Sequence, residues 1–244
     1  MNTSIVLEIA TFTYEGAIAA YEAGAHRIEL CENPNDGGTT PSYGMLKKII
    51  QEIPIPVFPI IRPRGGNFVY TDAEIEIIKD DIRLCKELGY KGIVLGVLTS
   101  IGEVNSSIMK ELVELSSPME VTFHRAFDRT RNPFEALEKI IECGCKRILT
   151  SGQYPSLMNS LSLIKQLVIQ ANDRIIIMPG SGLKSENVQQ VLEVTNAKEI
   201  HTAARKAIFQ ESVFSPESMD EQMKYISVDA QEINKILATL NSIK

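Results

Sequence analysis

The sequence predicts a (β/α)8 (TIM) barrel in a single domain spanning residues 1–244, and three observations predict it. Eight short runs rich in β-branched residues alternate with longer amphipathic stretches from one end of the chain to the other. Helix start and stop signals fall where that alternation requires them. No segment rich in Pro, Gly or Ser divides the chain, and 244 residues with 44% hydrophobic and 23% charged side chains can bury a large core. A doubly wound open sheet is the alternative for the same pattern; the barrel is preferred because neither a second domain nor a break in strand order is visible.

The elements follow in order. SIVLEI is the first strand, and a helical pattern at 13–24 closes on Gly24. HRIELC leads into a helix at 43–52, and VFPIIR into one at 73–89 that Thr71-Asp72 starts and Gly89 stops. GIVLGVL precedes a helix at 105–116 opened by Asn105. EVTFHR precedes one at 132–143, with Asn132 as cap, Pro133 as first helical residue and Gly144 just past the end. KRILTS, RIIIMP and KEIHTA complete the strands, with helices at 156–171, 184–194 and 229–242. Residues 205–229 break the repeat: they separate the eighth strand from its helix by a connection unusually long for a compact domain, of a kind that is often functional. A lid or a contact between identical subunits is one reading of that excursion, a surface excursion the other.

Composition narrows the function. The net charge is −6 with both signs interleaved, which argues against nucleic acid and anionic membranes as partners. No run approaches the ~20 apolar residues of a membrane span, and MNTSIVLEIA lacks the basic start and apolar run of a signal peptide, so a cytoplasmic location is expected. Cys31, Cys85, Cys143 and Cys145 have no disulfide-framework spacing and read as reduced thiols; the C-x-C pair lacks the second half that structural metal motifs have.

Barrel strands alternate side chains between the helix layer and the interior, so parity can be read from the apolar residues. Leu7 and Ile9 face the helices and Glu8 the interior. Ile28 and Leu30 turn Arg27, Glu29 and Cys31 inward; Val121 and Phe123 do the same for Thr122 and His124, and Ile200 for Glu199 and His201. Arg62 ends the third strand on the face of Phe58 and Ile60. Glu8, Glu29, Cys31, Arg62, His124 and His201 therefore converge on one pocket at the end where barrel active sites are built. Any one of them alone would be a hydrogen-bonded core residue. Several buried ionisable groups together are costly unless function requires them. VTFHRAFD adds Arg125 and Asp128 to the same rim.

The loops supply anion-binding chemistry. RPRGGNF offers Arg62 and Arg64 before a glycine pair, suited to a carboxylate or phosphate. TSGQ contributes Ser151 and Gly152, and PGSGL contributes Gly180, Ser181 and Gly182, at turns where backbone N–H groups can approach a phosphate. ENPNDGGTTPSYG is a long second loop, a plain turn or a flap over Glu29 and Cys31, to which Asp36 could add a carboxylate.

Five blocks, RIELCENPNDGGTTPSYG, PIIRPRGGNFVYTD, GIVLGVLT, VTFHRAFD and RILTSGQ, together resemble the CutC family, named for copper homeostasis, and the resemblance runs from Glu8 to about Ala204. It implies a cytosolic (β/α)8 barrel with a role in copper homeostasis, with Cu(I) binding attributed to cysteine in some members. Cys31 matches the cysteine of the family's RxELC block. Some relatives carry a further cysteine after the first strand, where this chain has Ala10 and Thr11.

Two functions follow, the copper role being the one expected from the resemblance and the enzyme the alternative. The resemblance implies a copper-handling protein that holds Cu(I) through Cys31, a soft ligand of the kind Cu(I) prefers. The residues themselves support an enzyme acting on a small anionic, phosphorylated or carboxylated metabolite. In that reading Arg62, Arg64 and Arg125 bind the anion and His124 works with Glu8 or Glu29 as acid and base. No inward lysine ends a strand, which counts against a Schiff base. A hybrid would use Glu8, Glu29, His124 and His201 to hold a divalent ion.

Overall fold

The computed structural model describes residues 5–209, 214, 216, 218 and 223–243. Eight parallel strands form the barrel wall: β1 (Val6–Thr11), β2 (Arg27–Leu30), β3 (Val57–Pro59), β4 (Gly92–Leu95), β5 (Glu120–Phe123), β6 (Arg147–Thr150), β7 (Ile176–Pro179) and β8 (Glu199–Thr202). They hydrogen-bond in two runs, β3-β2-β1-β8 and β4-β5-β6-β7. A parallel bridge between Ile60 and Val94 joins β3 to β4, and β7 lies beside β8.

Each strand is followed by a helix: α1 (Tyr14–Glu22), α2 (Tyr43–Glu52), α3 (Asp72–Glu87), α4 (Ser106–Ser116), α5 (Pro133–Glu142), α6 (Leu161–Ala171), α7 (Val188–Thr195) and α8 (Ala230–Ser242). The expected caps are in place. Thr71 and Glu74 form a reciprocal capping box, and the Asn132 side chain accepts from Phe134 N and Glu135 N ahead of Pro133. Two helices start later than the periodicity predicts. The helix expected at 156–171 opens as a separate turn at Leu157–Asn159 because Ser160 leaves helical geometry (φ −141°). Lys184 N donates to Asn187 Oδ1, a turn that delays α7 to Val188.

Parity holds throughout. Leu7, Ile9, Ile28, Leu30, Val121 and Phe123 belong to the core between wall and helices, each at most 2% exposed. Side chains of that kind contribute roughly 1.5–3 kcal/mol each when fully buried. Ala10, Cys31, Phe58, Ile60 and Val94 form a separate cluster inside the barrel.

The excursion at 205–229 contains a hairpin that the sequence reading did not assign. β9 (Arg205–Phe209) pairs antiparallel with β10 (Lys224–Val228), placing Arg205 opposite Val228. Alternation in KAIF and KYISV was a readable strand signal. Residues 210–213, 215, 217 and 219–222 of that excursion, and Ser4 of the first strand candidate, lie outside the described residues.

Candidate active site

Beside its apolar cluster the barrel interior holds a network of ions. Parallel register puts Glu8 beside Arg27 on one side and His201 on the other. Arg27 donates to both Glu8 and Glu199, Arg147 reaches Glu199 (3.2 Å) and Glu120 (2.7 Å), and the Phe58 ring lies against both guanidinium groups at 5.2 and 5.3 Å. Isolated charges at this depth would be prohibitive; alternating signs and guanidinium donors make the arrangement stable.

This network ends upward in three groups. His201 Nδ1 lies 2.8 Å from Glu8 Oε1, and its Nε2 lies 3.7 Å from Glu29 Oε2. Burial raises the pKa of Glu8, but the Arg27 charge and the His201 hydrogen bond prevail and bring it down to about 2. Glu29 is equally buried, has no bonded arginine, and is pushed up to about 7, with His201 pulling the other way. Burial disfavours the His201 imidazolium, yet the Glu8 hydrogen bond and the Glu29 charge raise its pKa above the ordinary value.

Above them opens a pocket of about 900 Å³, lined among others by Glu29, Arg62, Phe68, His124, Arg125 and His201. Ala126 N–H donates to His124 Nδ1 (3.2 Å), while His124 Nε2 is buried without a partner. Burial and the Arg62 charge lower the His124 pKa to about 3, so this ring is neutral near pH 7. Arg62 donates to Asp36 O (2.6 Å), Gly38 O (2.8 Å) and Gly66 O (2.8 Å), and its guanidinium rests 4.9 Å from the Phe68 ring. It therefore ties the loop after β2 to its own loop as well as facing the pocket.

Several of the other candidates are held within the scaffold. Asp128 is the centre of a knot: Oδ1 accepts from Thr150 Oγ1 (2.5 Å), Ser151 N and Gln153 N (3.1 Å each), and Oδ2 from Arg125 Nε (2.8 Å). Neither Asp128, Ser151, Gly152 nor Gly180 lines the pocket. Gly152 packs against Ser160 and Gly180 against Leu149 and His201, where a Cβ would collide. Arg64 turns away to Glu74 and Val69 O. Ser181 and Gly182 do reach the rim, but Ser185 N and Oγ in the same loop are bonded to Glu232, so a carboxylate already holds donors that a phosphate would need. Parity would also have found Arg147, and the rim cations Arg129, Lys184 and Arg205 carried no local signal.

A family model described as the CutC family matches residues 5–206. The chain belongs to the CutC family. It is 46% identical over 206 residues to the copper homeostasis protein cutC homolog of Mus musculus, covering 84% of this chain and 76% of that protein. It is 42% identical to a CutC family protein of Parabacteroides distasonis, covering 93% and 94%. The crystal structure of a copper homeostasis protein CutC from Streptococcus agalactiae superposes with a TM-score of 0.77 at 35% identity, over 82% of this chain and 98% of that one. The (β/α)8 assignment agrees with that likeness.

The CutC name raises the question of copper, which the residues present do not fit. Cu(I) prefers thiolate and thioether ligands. Cys31 is 1% exposed among apolar neighbours, and burial together with the nearby Glu29 raises its pKa well above the usual thiol value, so it is a neutral thiol. Cys85, Cys143 and Cys145 lie in the helix-facing core, and Met178 Sδ accepts from Arg27. Among the described residues, the groups whose ligand atoms lie within 4.8 Å of one another are Glu8, Glu29 and His201, a set with no sulfur and without His124. Glu8 already has Arg27 and His201 as partners, so its oxygens are not free for an ion.

Proposed function

We propose that this CutC-family chain is an enzyme that binds a small anionic metabolite in the barrel mouth and moves a proton with Glu29. The observation that carries the reading is the position of Glu29: a buried carboxyl with a pKa of about 7, at the wall of a pocket of about 900 Å³ whose rim holds Arg62, Arg125, Arg129 and Arg205. A base poised near the working pH is what general acid–base catalysis needs, and arginines are suited to anionic oxygens. The Glu8 hydrogen bond raises the His201 pKa, and the charge of a protonated His201 favours ionised Glu29, the form that accepts a proton. The four free cysteines accord with a cytoplasmic setting. No helix among the described residues is long and apolar enough to cross a membrane.

The test is a thermal-shift screen of the purified protein against phosphorylated and carboxylated metabolites. Stabilisation by one class, weakened in Arg62→Lys, is expected; indifference to both classes would contradict the reading. A second reading, Cu(I) held at Cys31, is favoured by the names of the relatives. An anaerobic competition titration against a calibrated Cu(I) chelator decides it: tight stoichiometric binding lost in Cys31→Ser would replace the enzyme by a copper carrier.

A further inference from the structure

His124 is equipped differently from the acid or base that its place at a strand end suggests. Its Nδ1 lone pair is occupied by the Ala126 N–H at 3.2 Å, which fixes the ring proton on Nε2. That Nε2–H is buried, on a residue 4% exposed that lines the pocket, and has no hydrogen-bond partner. An unpaired buried donor costs about 1–3 kcal/mol, and such a group in a pocket calls for an acceptor on a ligand.

The surroundings hold the ring in this state. A Cβ on Gly96 would come within 2.7 Å of Nδ1 and 2.8 Å of Cε1, and the backbone of Gly96 does not adopt the positive φ that would otherwise explain a glycine. The space beside β4 is thus reserved for the imidazole. Phe68 packs on it at 4.9 Å between centroids, and the same Phe68 ring carries the Arg62 guanidinium, whose charge opposes an imidazolium.

We propose that His124 Nε2–H is a neutral hydrogen-bond donor to the carbonyl oxygen of the substrate, that Gly96 positions it, and that the substrate is an anionic carbonyl compound with a C–H beside the carbonyl. The inference rests on Glu29 being the pocket's base. Glu29 carboxylate takes the proton from the carbon next to C=O. The C–H electron pair becomes a C=C bond, and the carbonyl π pair moves onto oxygen, which stays hydrogen-bonded to Nε2–H. Glu29 then returns the proton to the same carbon as the oxygen pair re-forms C=O. His124 transfers no proton, and no oxidant or reductant is needed. The rim arginines hold the anionic end, a carboxylate or a phosphate.

The experiment is deuterium incorporation beside the carbonyl, followed by NMR in D2O, with two arms: 2-oxo acids (pyruvate and 2-oxoglutarate) and a ketose phosphate (dihydroxyacetone phosphate). Exchange above the buffer rate in one arm is expected and tells carboxylate from phosphate. His124→Phe keeps the ring and loses the donor; it should lower kcat about 10²–10³-fold with little change in KM. Gly96→Ala, which displaces the ring, should shift kcat in the same direction. His124→Gln should recover part of the loss. In folded, unliganded protein, 15N spectra should show His124 with one proton, on Nε2, from pH 5 to 8. A proton on Nδ1, an imidazolium at neutral pH, or wild-type exchange rates in His124→Phe would overturn the assignment. If only Glu29→Gln abolished exchange, the role of His124 would fall and that of Glu29 would stand. Silence in both arms would remove the carbonyl substrate class, while the thermal-shift screen judges anion binding independently.

Discussion

Glu8 Oε1 and His201 Nδ1 meet at 2.8 Å inside the barrel, and the Arg27 charge together with this contact brings Glu8 down to about 2, while burial lifts Glu29 of the same interior to about 7. Arg27 and His201 claim Glu8, leaving Glu29 with the Cys31 thiol and one imidazole at 3.7 Å. Unequal partners therefore turn two similar strand residues into a fixed counter-ion and a titrating base.

The raised pKa of Glu29 has a cost in stability. Between about 4.5 and 7 the unfolded chain releases this proton while the folded chain keeps it, so the stability contributed by the protonated form is lost as pH rises through that window. Glu29→Gln does not titrate. Its stability relative to the parent should rise from pH 5 to pH 8 by up to about 3 kcal/mol, read by urea denaturation at each pH. A constant difference would place the Glu29 pKa in the ordinary range.

Glu8 acts in the opposite direction. Its pKa is depressed, so its contribution is present above about 4.5 and is lost as pH falls toward 2. Arg27→Met removes the group that depresses it and leaves Glu8 and Glu199 short of a counter-charge. Loss of one partner from a buried ion network costs about 3–5 kcal/mol, and the acid limb of the stability curve should move to higher pH. Chemical denaturation between pH 3 and 7 checks both effects.

Asp128 should prove structural. Asp128→Ala strands Thr150 Oγ1, Ser151 N, Gln153 N and Arg125 Nε, and a loss of about 1–3 kcal/mol is expected with ligand stabilisation retained at temperatures where the variant is folded. Abolished ligand response in a folded variant would return Asp128 to the pocket.

Much of this was legible in the sequence, for a local reason. Strand parity depends only on neighbouring residues, so Ile28 and Leu30 sufficed to turn Arg27 and Glu29 inward, and the same rule applied to Ile148 yields Arg147. Which polar residue faces the cavity depends instead on partners far along the chain. Arg64 and Arg62 share one short loop, yet Glu74 draws the first outward and carbonyls at Asp36 and Gly38 draw the second in. Asp128 reads like a catalytic carboxylate until Thr150 and Ser151, more than twenty residues later, claim both of its oxygens. Length alone marks residues 205–229 as a break in the repeat, and the hairpin went unassigned although KAIF and KYISV alternate as strands do.

Cys31 should contribute little to Cu(I) affinity. Its neutral thiol packs against Gly38 and Ile60 with no second sulfur in its cluster, so Cys31→Ser should leave a chelator-competition curve close to that of the parent. A large loss of affinity would show that the interior rearranges to make a thiolate site.

The ionisation of Glu29 carries the enzyme reading, and it can be observed directly by following the side-chain carboxyl of Glu29 with 13C NMR as a function of pH, assigned by comparison with Glu29→Gln. A midpoint near 7 is expected, while Glu8 stays ionised throughout. A midpoint between 4 and 5, the ordinary range for glutamate, would leave the pocket without a base and contradict the proposed function.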